Sequence, residues 1–92
     1  MSRPVLSETD RTDVFRGLAN PARRKVLSLL SKGELSAGEL LSGMKASQPA
    51  LSMHLRVLRD CGLVKQRAQG NRRFYSLNTP AIRKAQQWLS KI

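Results

Sequence analysis

The chain is poor in the residues on which most enzymes and metal sites depend. Its 92 residues include one cysteine, one histidine and six acidic residues. One cysteine cannot form an intrachain disulfide, which indicates a reducing compartment, and a soft-metal site needs three or four Cys, His or carboxylate ligands. No carboxylate pair or phosphate-binding loop stands at a catalytic spacing. The sequence therefore predicts no enzyme, no metal site and no cofactor.

Long apolar runs are missing as well. No segment approaches the roughly 20 apolar residues that a membrane-spanning helix needs, and residues 1–10 contain no apolar signal core. We therefore expect no membrane insertion and a cytoplasmic location. The length suits one small domain, and no linker or repeat divides it, so we expect residues 1–92 to form a single domain.

What the chain has in excess is positive charge. Lys and Arg number 17 against 6 Asp and Glu, which gives a formal net charge of +11. The basic residues are spread through segments with apolar periodicity rather than collected in a tail. Such a balance favours a polyanionic partner, and double-stranded DNA is the one we expect.

The segment SQPALSMHLRVLRDCGLV, which begins at Ser47, has the pattern of a helix that lies in the DNA major groove. Ser47 is a suitable N-cap, and Leu51, Leu55 and Leu58 form one apolar stripe at helical spacing. Gly62 is expected to end the helix in a left-handed conformation. The other face carries short polar side chains that can approach base edges; an ordinary solvated face is the alternative.

Helix-start and turn signals divide the rest of the chain. Asn20 precedes Pro21 as an N-cap, and Ser36 with Glu39 makes a capping box. Two strands joined by a glycine-containing turn follow the helix that begins after Ser47, which we call the reading helix. Asn78 caps the last helix. The predicted elements are helices from about Glu8 or Thr9, at 21–31, after Ser36 and from Ser47, strands at 63–68 and 72–77, and a helix at 80–90.

The terminal helices carry apolar residues that a domain of this size has little left to cover. Ile82, Ala85 and Leu89 recur along one side of the last helix. We therefore expect this helix to pack against the first helix and against a second copy, forming a homodimer; packing within one chain is the alternative. The expected interface residues are Val14, Phe15, Leu18, Ile82, Ala85, Trp88, Leu89 and Ile92.

The element order α-α-α-α-β-β-α, mainly α with a small β-hairpin, is that of a winged helix-turn-helix. The segments LANPARRKVLSLL, ELSAGEL, SQPALSMHLRVLRDCGLV and GNRRFYSL resemble the ArsR/SmtB family of bacterial repressors over about residues 10–90. The resemblance implies a homodimeric regulator that binds an imperfect palindrome in double-stranded DNA and represses its own or a neighbouring operon. The alternatives are a sequence-neutral DNA-packaging protein and a repressor controlled by an organic ligand or a sequestering protein.

The chain departs from the metal-sensing members of that family. Such sensors often have two cysteines in the segment written here ELSAGEL, where this chain has Ser36 and Gly38. A second common site uses Asp and His on the last helix, which has neither here. The chain is therefore most similar to the autorepressor branch, and we expect no metal site. Cys61, at the end of the reading helix, is expected to be a small buried hydrophobe.

Positions on the helix and hairpin suggest the DNA contacts. We expect Gln48 and Ser52 to meet base edges and Met53 to offer an apolar contact, while the hairpin arginines touch the flanking backbone or minor groove. The alternatives are a structural hydrogen bond for His54 and a solvated basic surface for the arginines of the hairpin and of the helix at 21–31. The expected DNA-binding set is Arg23, Arg24, Lys45, Ser47, Gln48, Pro49, Ser52, Met53, His54, Arg56, Arg72 and Arg73.

Overall fold

The computed structural model describes residues 13–92, and within that range five helices and three strands follow one another. The predicted start of a first helix near Glu8 or Thr9 lies outside the described residues. In chain order the elements are α1 (Val14–Leu18), α2 (Pro21–Leu30), β1 (Leu35–Ser36), α3 (Ala37–Ser42), α4 (Gln48–Asp60), β2 (Val64–Gln69), β3 (Arg72–Leu77) and α5 (Thr79–Ser90).

Side-chain caps fix where the central helices begin, as the sequence predicted. The Asn20 Oδ1 accepts hydrogen bonds from the amides of Ala22 and Arg23 at 2.8 and 3.2 Å. The Ser36 hydroxyl accepts the Glu39 amide at 3.1 Å, and the Glu39 carboxylate accepts the Ser36 amide at 2.9 Å, which completes the capping box. Each cap satisfies amides that have no partner inside the helix, so the helix boundaries are set locally.

Helix α4 also ends as predicted, at a glycine in the left-handed region. Gly62 has a φ of 74°, and its amide donates to the Arg59 carbonyl at 2.9 Å. The Leu63 amide donates to the Leu58 carbonyl at 2.9 Å, so the two bonds together make a Schellman motif. The chain therefore leaves α4 sharply and enters β2 one residue later than the sequence indicated.

The sheet has one strand more than the predicted two-stranded hairpin. Strands β2 and β3 pair antiparallel from Val64↔Leu77 to Gln69↔Arg72, with a two-residue turn that contains Gly70 at a φ of 61°. Strand β1 pairs with the other edge of β3, so the strand order is β1-β3-β2. A two-residue strand is too short to show the alternating pattern that identifies a strand in sequence.

The core lies between the helices and the inner face of the sheet. Leu51, Leu55 and Leu58 are 3, 4 and 0% exposed, which confirms the predicted stripe of α4. They pack in one cluster with Val26, Leu30, Leu40, Cys61, Leu63, Val64 and Tyr75. The cluster holds α4 against α2 and the sheet, which leaves the opposite side of α4 free for solvent or a ligand.

Glycine at position 17 allows α1 to approach this core closely. A Cβ atom there would lie 2.6 Å from Leu63 Cδ1 and 3.4 Å from Cys61 Sγ. The side chain of Cys61 is 4% exposed, which confirms the predicted small buried hydrophobe, and burial raises the pKa of its thiol.

The prediction that Asn78 caps the last helix is wrong as to its side chain. Asn78 occupies the N-cap position of α5, but its side chain makes no capping hydrogen bond. Its Nδ2 donates instead to the Gly62 carbonyl at 2.7 Å, and its backbone amide donates to the Leu63 carbonyl at 2.9 Å. These bonds tie the start of α5 to the exit of α4, a long-range contact that a local capping rule does not foresee.

Candidate nucleic-acid interface

The outer side of α4 presents an uninterrupted set of accessible side chains. Gln48, Pro49, Ser52, Met53 and Arg56 are all exposed, and Met53 is 54% exposed. The helix is fixed from within by its buried leucines and from its start by the Ser47 hydroxyl, which accepts the Ala50 amide at 3.2 Å. Lys45 and Ser47 are exposed in the short connection from α3. The structure thus leaves these seven predicted DNA-binding residues accessible at one end and side of α4.

His54 differs from the other predicted DNA-binding residues of α4 because its side chain is buried. Its side chain is 8% exposed, and its Nδ1 lies 3.5 Å from Nη1 of Arg23. Burial, and next the charge of Arg23, hold the pKa of His54 below its usual value, so the ring is neutral at neutral pH. This position agrees with the structural alternative, and the DNA contact of His54 stays a prediction.

Arg23 and Arg24 have protein partners that the sequence did not reveal. Arg23 donates from Nε to the Gly17 carbonyl at 3.0 Å and from Nη2 to the Arg16 carbonyl at 2.9 Å. Arg24 donates from Nη1 to the Leu18 carbonyl at 2.7 Å. The carbonyls at the negative end of α1 thus offset the cations near the positive end of α2. The predicted DNA contacts of Arg23 and Arg24 stay predictions.

The two hairpin arginines point to opposite faces of the sheet. Arg73 shares the inner face with Tyr75 and lines a groove together with Gln48, Ser52 and Gly38. Arg72 lies on the outer face, where its guanidinium carbon is 5.0 Å from the centre of the Phe74 ring. The alternation of side chains along a strand therefore places Arg73 beside α4 and Arg72 away from it. We call the β2–β3 hairpin the wing. The reading surface is the set of six exposed residues on α4 and the wing that were predicted to contact DNA: Gln48, Ser52, Met53, Arg56, Arg72 and Arg73.

Sequence reasoning missed a charged pair on the outer face. Arg67 donates from Nε to both carboxylate oxygens of Glu34, at 3.1 and 2.9 Å, and from Nη2 to Oε1 at 2.6 Å. This bond with Arg67 holds the pKa of Glu34 below its usual value. The residues are 33 positions apart, and the pairing of β3 with both β1 and β2 brings them together.

The comparisons with known proteins agree with this geometry. The family described as bacterial regulatory protein, arsR family, matches residues 20–66, which is about half of the chain. The chain belongs to the ArsR family. The transcriptional repressor SdpR of Bacillus subtilis is 32% identical over 77 residues, which are 84% of this chain and 86% of that protein. The arsenical resistance operon repressor of Staphylococcus xylosus is 41% identical over 73 residues, 79% of this chain and 70% of that protein.

The fold agrees with solved structures from the ArsR family. The ArsR family transcriptional regulator RHA00566 superposes with a TM-score of 0.80 at 27% identity, covering 92% of this chain and 91% of that one. The predictions of a winged helix-turn-helix fold, of a DNA-binding transcriptional regulator and of a chain that is not an enzyme are thereby confirmed.

A second exposed surface of this ArsR-family chain lies on α1 and α5 and is apolar. The Phe15 and Trp88 rings meet edge to face with centroids 5.3 Å apart. Trp88, Leu89 and Ile92 are 53, 50 and 90% exposed, whereas Ala85 is 5% exposed. We call this the terminal surface, with the members Val14, Phe15, Leu18, Ile82, Ala85, Trp88, Leu89 and Ile92.

Ser36 has a structural task in this chain. Ser36 is 5% exposed, and both its hydroxyl and its amide are engaged in the capping box of α3. Within residues 13–92, no group of three or more His, Cys, Asp or Glu side chains could hold a metal ion. Nor does any helix in that range have the length and apolarity to cross a membrane.

Proposed function

We propose that this chain is a homodimeric, sequence-specific repressor that binds an imperfect palindrome over the promoter of its own or a neighbouring operon, without sensing a metal. The observation that carries the proposal is the groove shared by Gln48, Ser52 and Arg73. It joins the start of α4 to the wing in one accessible surface. A helix of this kind fits the major groove, with its first residues at the base edges.

Within that surface the contacts divide by side-chain chemistry. Gln48 and Ser52 offer hydrogen bonds to base edges, and Met53 offers an apolar contact to a thymine methyl group. The basic side chains and the segment that leads into α4 contact the phosphate backbone of the DNA. Pro49 lets that segment lie close to the backbone. The proposed phosphate-holding residues are Lys45, Ser47, Arg56, Arg72 and Arg73. Arg23 and Arg24 support the interface by bonding to carbonyls of α1, and Arg23 also lies beside the buried His54.

The terminal surface supports the homodimer. Exposed Trp, Leu and Ile side chains that lie together on one side of a small domain mark a contact with another protein. An isologous dimer through α1 and α5 presents two α4 helices related by a two-fold axis. Their separation along DNA must then be about one helical turn, 34–36 Å, which requires a palindromic site.

The side chains available as metal ligands support the absence of metal sensing. Ser36 cannot serve as a thiolate ligand, and its hydroxyl already accepts a hydrogen bond from Glu39. Cys61 and His54 are buried side chains of the α4 segment, each embedded in the core of its own subunit. Two relatives are named as repressors, one of them of an arsenical resistance operon, and their identities to this chain, 32 and 41%, do not by themselves decide whether it senses a metal.

Selection of bound duplexes from a random pool, followed by footprinting and sedimentation analysis, tests the proposal. We expect one enriched palindrome, protection of two half-sites and a dimer at working concentration. Enrichment of no sequence, with uniform protection, would identify a sequence-neutral packaging protein instead. A specific site that is released only by an organic compound or a partner protein would identify the effector-controlled alternative.

A further inference from the structure

Four side chains lie in contact on the outer face of the wing, and we call them the outer stack: Glu34, Arg67, Phe74 and Arg72. The register pairs Arg67 with Phe74, and Arg72 lies two residues before Phe74 on the same face. The guanidinium carbons of Arg67 and Arg72 lie 4.5 and 5.0 Å from the centre of the one Phe74 ring. Two cations thus share a single aromatic ring.

Two guanidinium groups this close to one ring repel each other unless one charge is compensated. Glu34 compensates Arg67 with a fork-like pair of hydrogen bonds. Within residues 13–92, this pair is the one salt bridge that the structure contains. The outer stack therefore holds one neutralised arginine, Arg67, and one whose charge is not matched by a contacting carboxylate, Arg72.

The hydrogen bonds of Arg67 show which of the two arginines can meet a phosphate. Its Nε and Nη2 donate to Glu34, and its Nη1 donates to the Gln69 Oε1 at 2.9 Å. Every nitrogen of this guanidinium already has a protein acceptor. Arg67 cannot turn to DNA without breaking one of these bonds. The guanidinium of Arg72 instead lies against the Phe74 ring through a cation–π interaction, and its charge also acts on the Glu39 carboxylate.

We propose that Glu34, Arg67 and Phe74 are positioning residues, an inference that rests on the function proposed above. Phe74 holds Arg72 where it can meet the DNA backbone, and Glu34 keeps Arg67 away from that backbone. The side chains of Arg67 and Glu34 are 51 and 34% exposed, and ion pairs in such positions contribute little to stability. Their effect is on which cation meets a phosphate, and hence on how strongly the protein binds DNA of any sequence.

The first test removes the charge of Glu34 and follows the salt dependence of binding. In Glu34→Gln, Arg67 becomes available to a phosphate, so the slope of log K against log salt should steepen by about 0.9. Between about 50 and 200 mM salt the variant should lose about threefold more affinity for a random duplex than the unaltered protein loses. Asp60→Asn is the matched control, because it removes one negative charge at the far end of α4. Equal slopes for Glu34→Gln and Asp60→Asn would overturn the proposal.

The second test asks whether Phe74 acts through Arg72. Arg72→Ala should reduce the salt slope by about one in the unaltered protein and in Phe74→Tyr, which keeps the aromatic face. In Phe74→Leu the same change should reduce it by clearly less, because Arg72 is no longer held by a ring. A full reduction in the Phe74→Leu background would show that the ring does not position Arg72.

A measurement without DNA separates this proposal from the proposed function. In the free protein the ring current of Phe74 should displace the NMR signal of the Arg72 Nε–H group, and Phe74→Leu should return it to the position of an exposed arginine. An undisplaced signal overturns the outer stack even if an operator is found. A displaced signal together with the predicted slopes, on a protein that prefers no sequence, upholds the outer stack and rejects the sequence-specific function.

Discussion

The reading surface and the terminal surface are built from helices of nearly equal length that are anchored differently. Helix α4 has a side-chain cap at its start, a Schellman motif at its end and a fully buried leucine stripe. Helix α5 has no side-chain capping hydrogen bond at its start. Ala85 is the one apolar residue of α5 that is buried. Both helices are amphipathic, yet only α4 has its apolar side covered within one chain.

The difference indicates what each surface is prepared for. The reading surface is held in place before any DNA arrives, so little conformational entropy is lost when it binds. The terminal surface is apolar and half exposed. It borders a groove of about 400 Å³ that is lined by residues of α1, α2 and α5. In our proposal a second copy of the chain covers the terminal surface. The reading surface then contacts DNA, and the terminal surface sets the distance between the two α4 helices of the dimer.

The largest expected effect comes from breaking the terminal surface alone. Trp88→Asp places a charge at the centre of the proposed dimer contact, and the protein should become monomeric. Operator affinity should then fall by about 10²–10⁴-fold, because the second half-site is no longer tethered to the first. Sedimentation and gel-shift titration measure the two effects, with circular dichroism to verify the fold.

Gln87→Ala, at an exposed neighbour of Trp88 on α5, is the matched control and should leave both quantities unchanged. A Trp88→Asp protein that stays dimeric and binds the operator with undiminished affinity would remove α5 from the interface.

Altering the reading surface alone should change specificity while the dimer persists. Gln48→Ala removes a side chain that we place at a base edge, and it should cost about 1–3 kcal/mol of discrimination between operator and altered sequences. Competition titrations with single-base operator variants locate the loss. A loss spread evenly over all positions and over random DNA would mean that Gln48 contacts only the backbone.

A smaller effect is expected from the buried His54, which lies beside Arg23. The folded-state pKa of His54 is lowered, so the unfolded chain binds a proton at a higher pH than the folded protein does. The contribution is fully present above the unfolded value of about 6.5 and is lost as the pH falls through it towards the lower folded value. Urea unfolding should therefore show lower stability at about pH 5.5 than at about pH 7.5.

His54 is the one histidine of the sequence, so a variant isolates its contribution. His54→Gln should flatten the pH dependence of stability in this range. An equally steep dependence in the variant would assign it to another group.

The smallest expected effect is none, and it concerns metals. Addition of arsenite, zinc or mercury salts, or of a chelator, should leave operator affinity and the melting temperature unchanged at concentrations that do not modify the thiol. The physical reason is the donor set: Ser36 is a capping residue, and Cys61 is 4% exposed. Release from DNA by a metal at low concentration would contradict the proposal and place a site in the dimer.

Local chemistry made much of the fold predictable. The Asn20, Ser36 and Ser47 caps, the Gly62 exit and the leucine stripe of α4 depend on residues within one or two helical turns of each other. Such interactions set helix boundaries before any tertiary contact forms, so the sequence alone determined where these elements begin and end. The same patterns placed Gln48, Ser52 and Met53 on an accessible face.

Only the tertiary structure decided which charges are available to a ligand. The sequence assigned Arg23, Arg24 and His54 to DNA, and it did not foresee that the fold joins both arginines to carbonyls of α1 and places Arg23 beside His54. The fold likewise joins Glu34 to Arg67 through the pairing of β3 with its two neighbours, and it places the two hairpin arginines on different faces of the sheet. A long cationic side chain takes whichever acceptor the packed chain brings near, and residues far apart in sequence supply those acceptors.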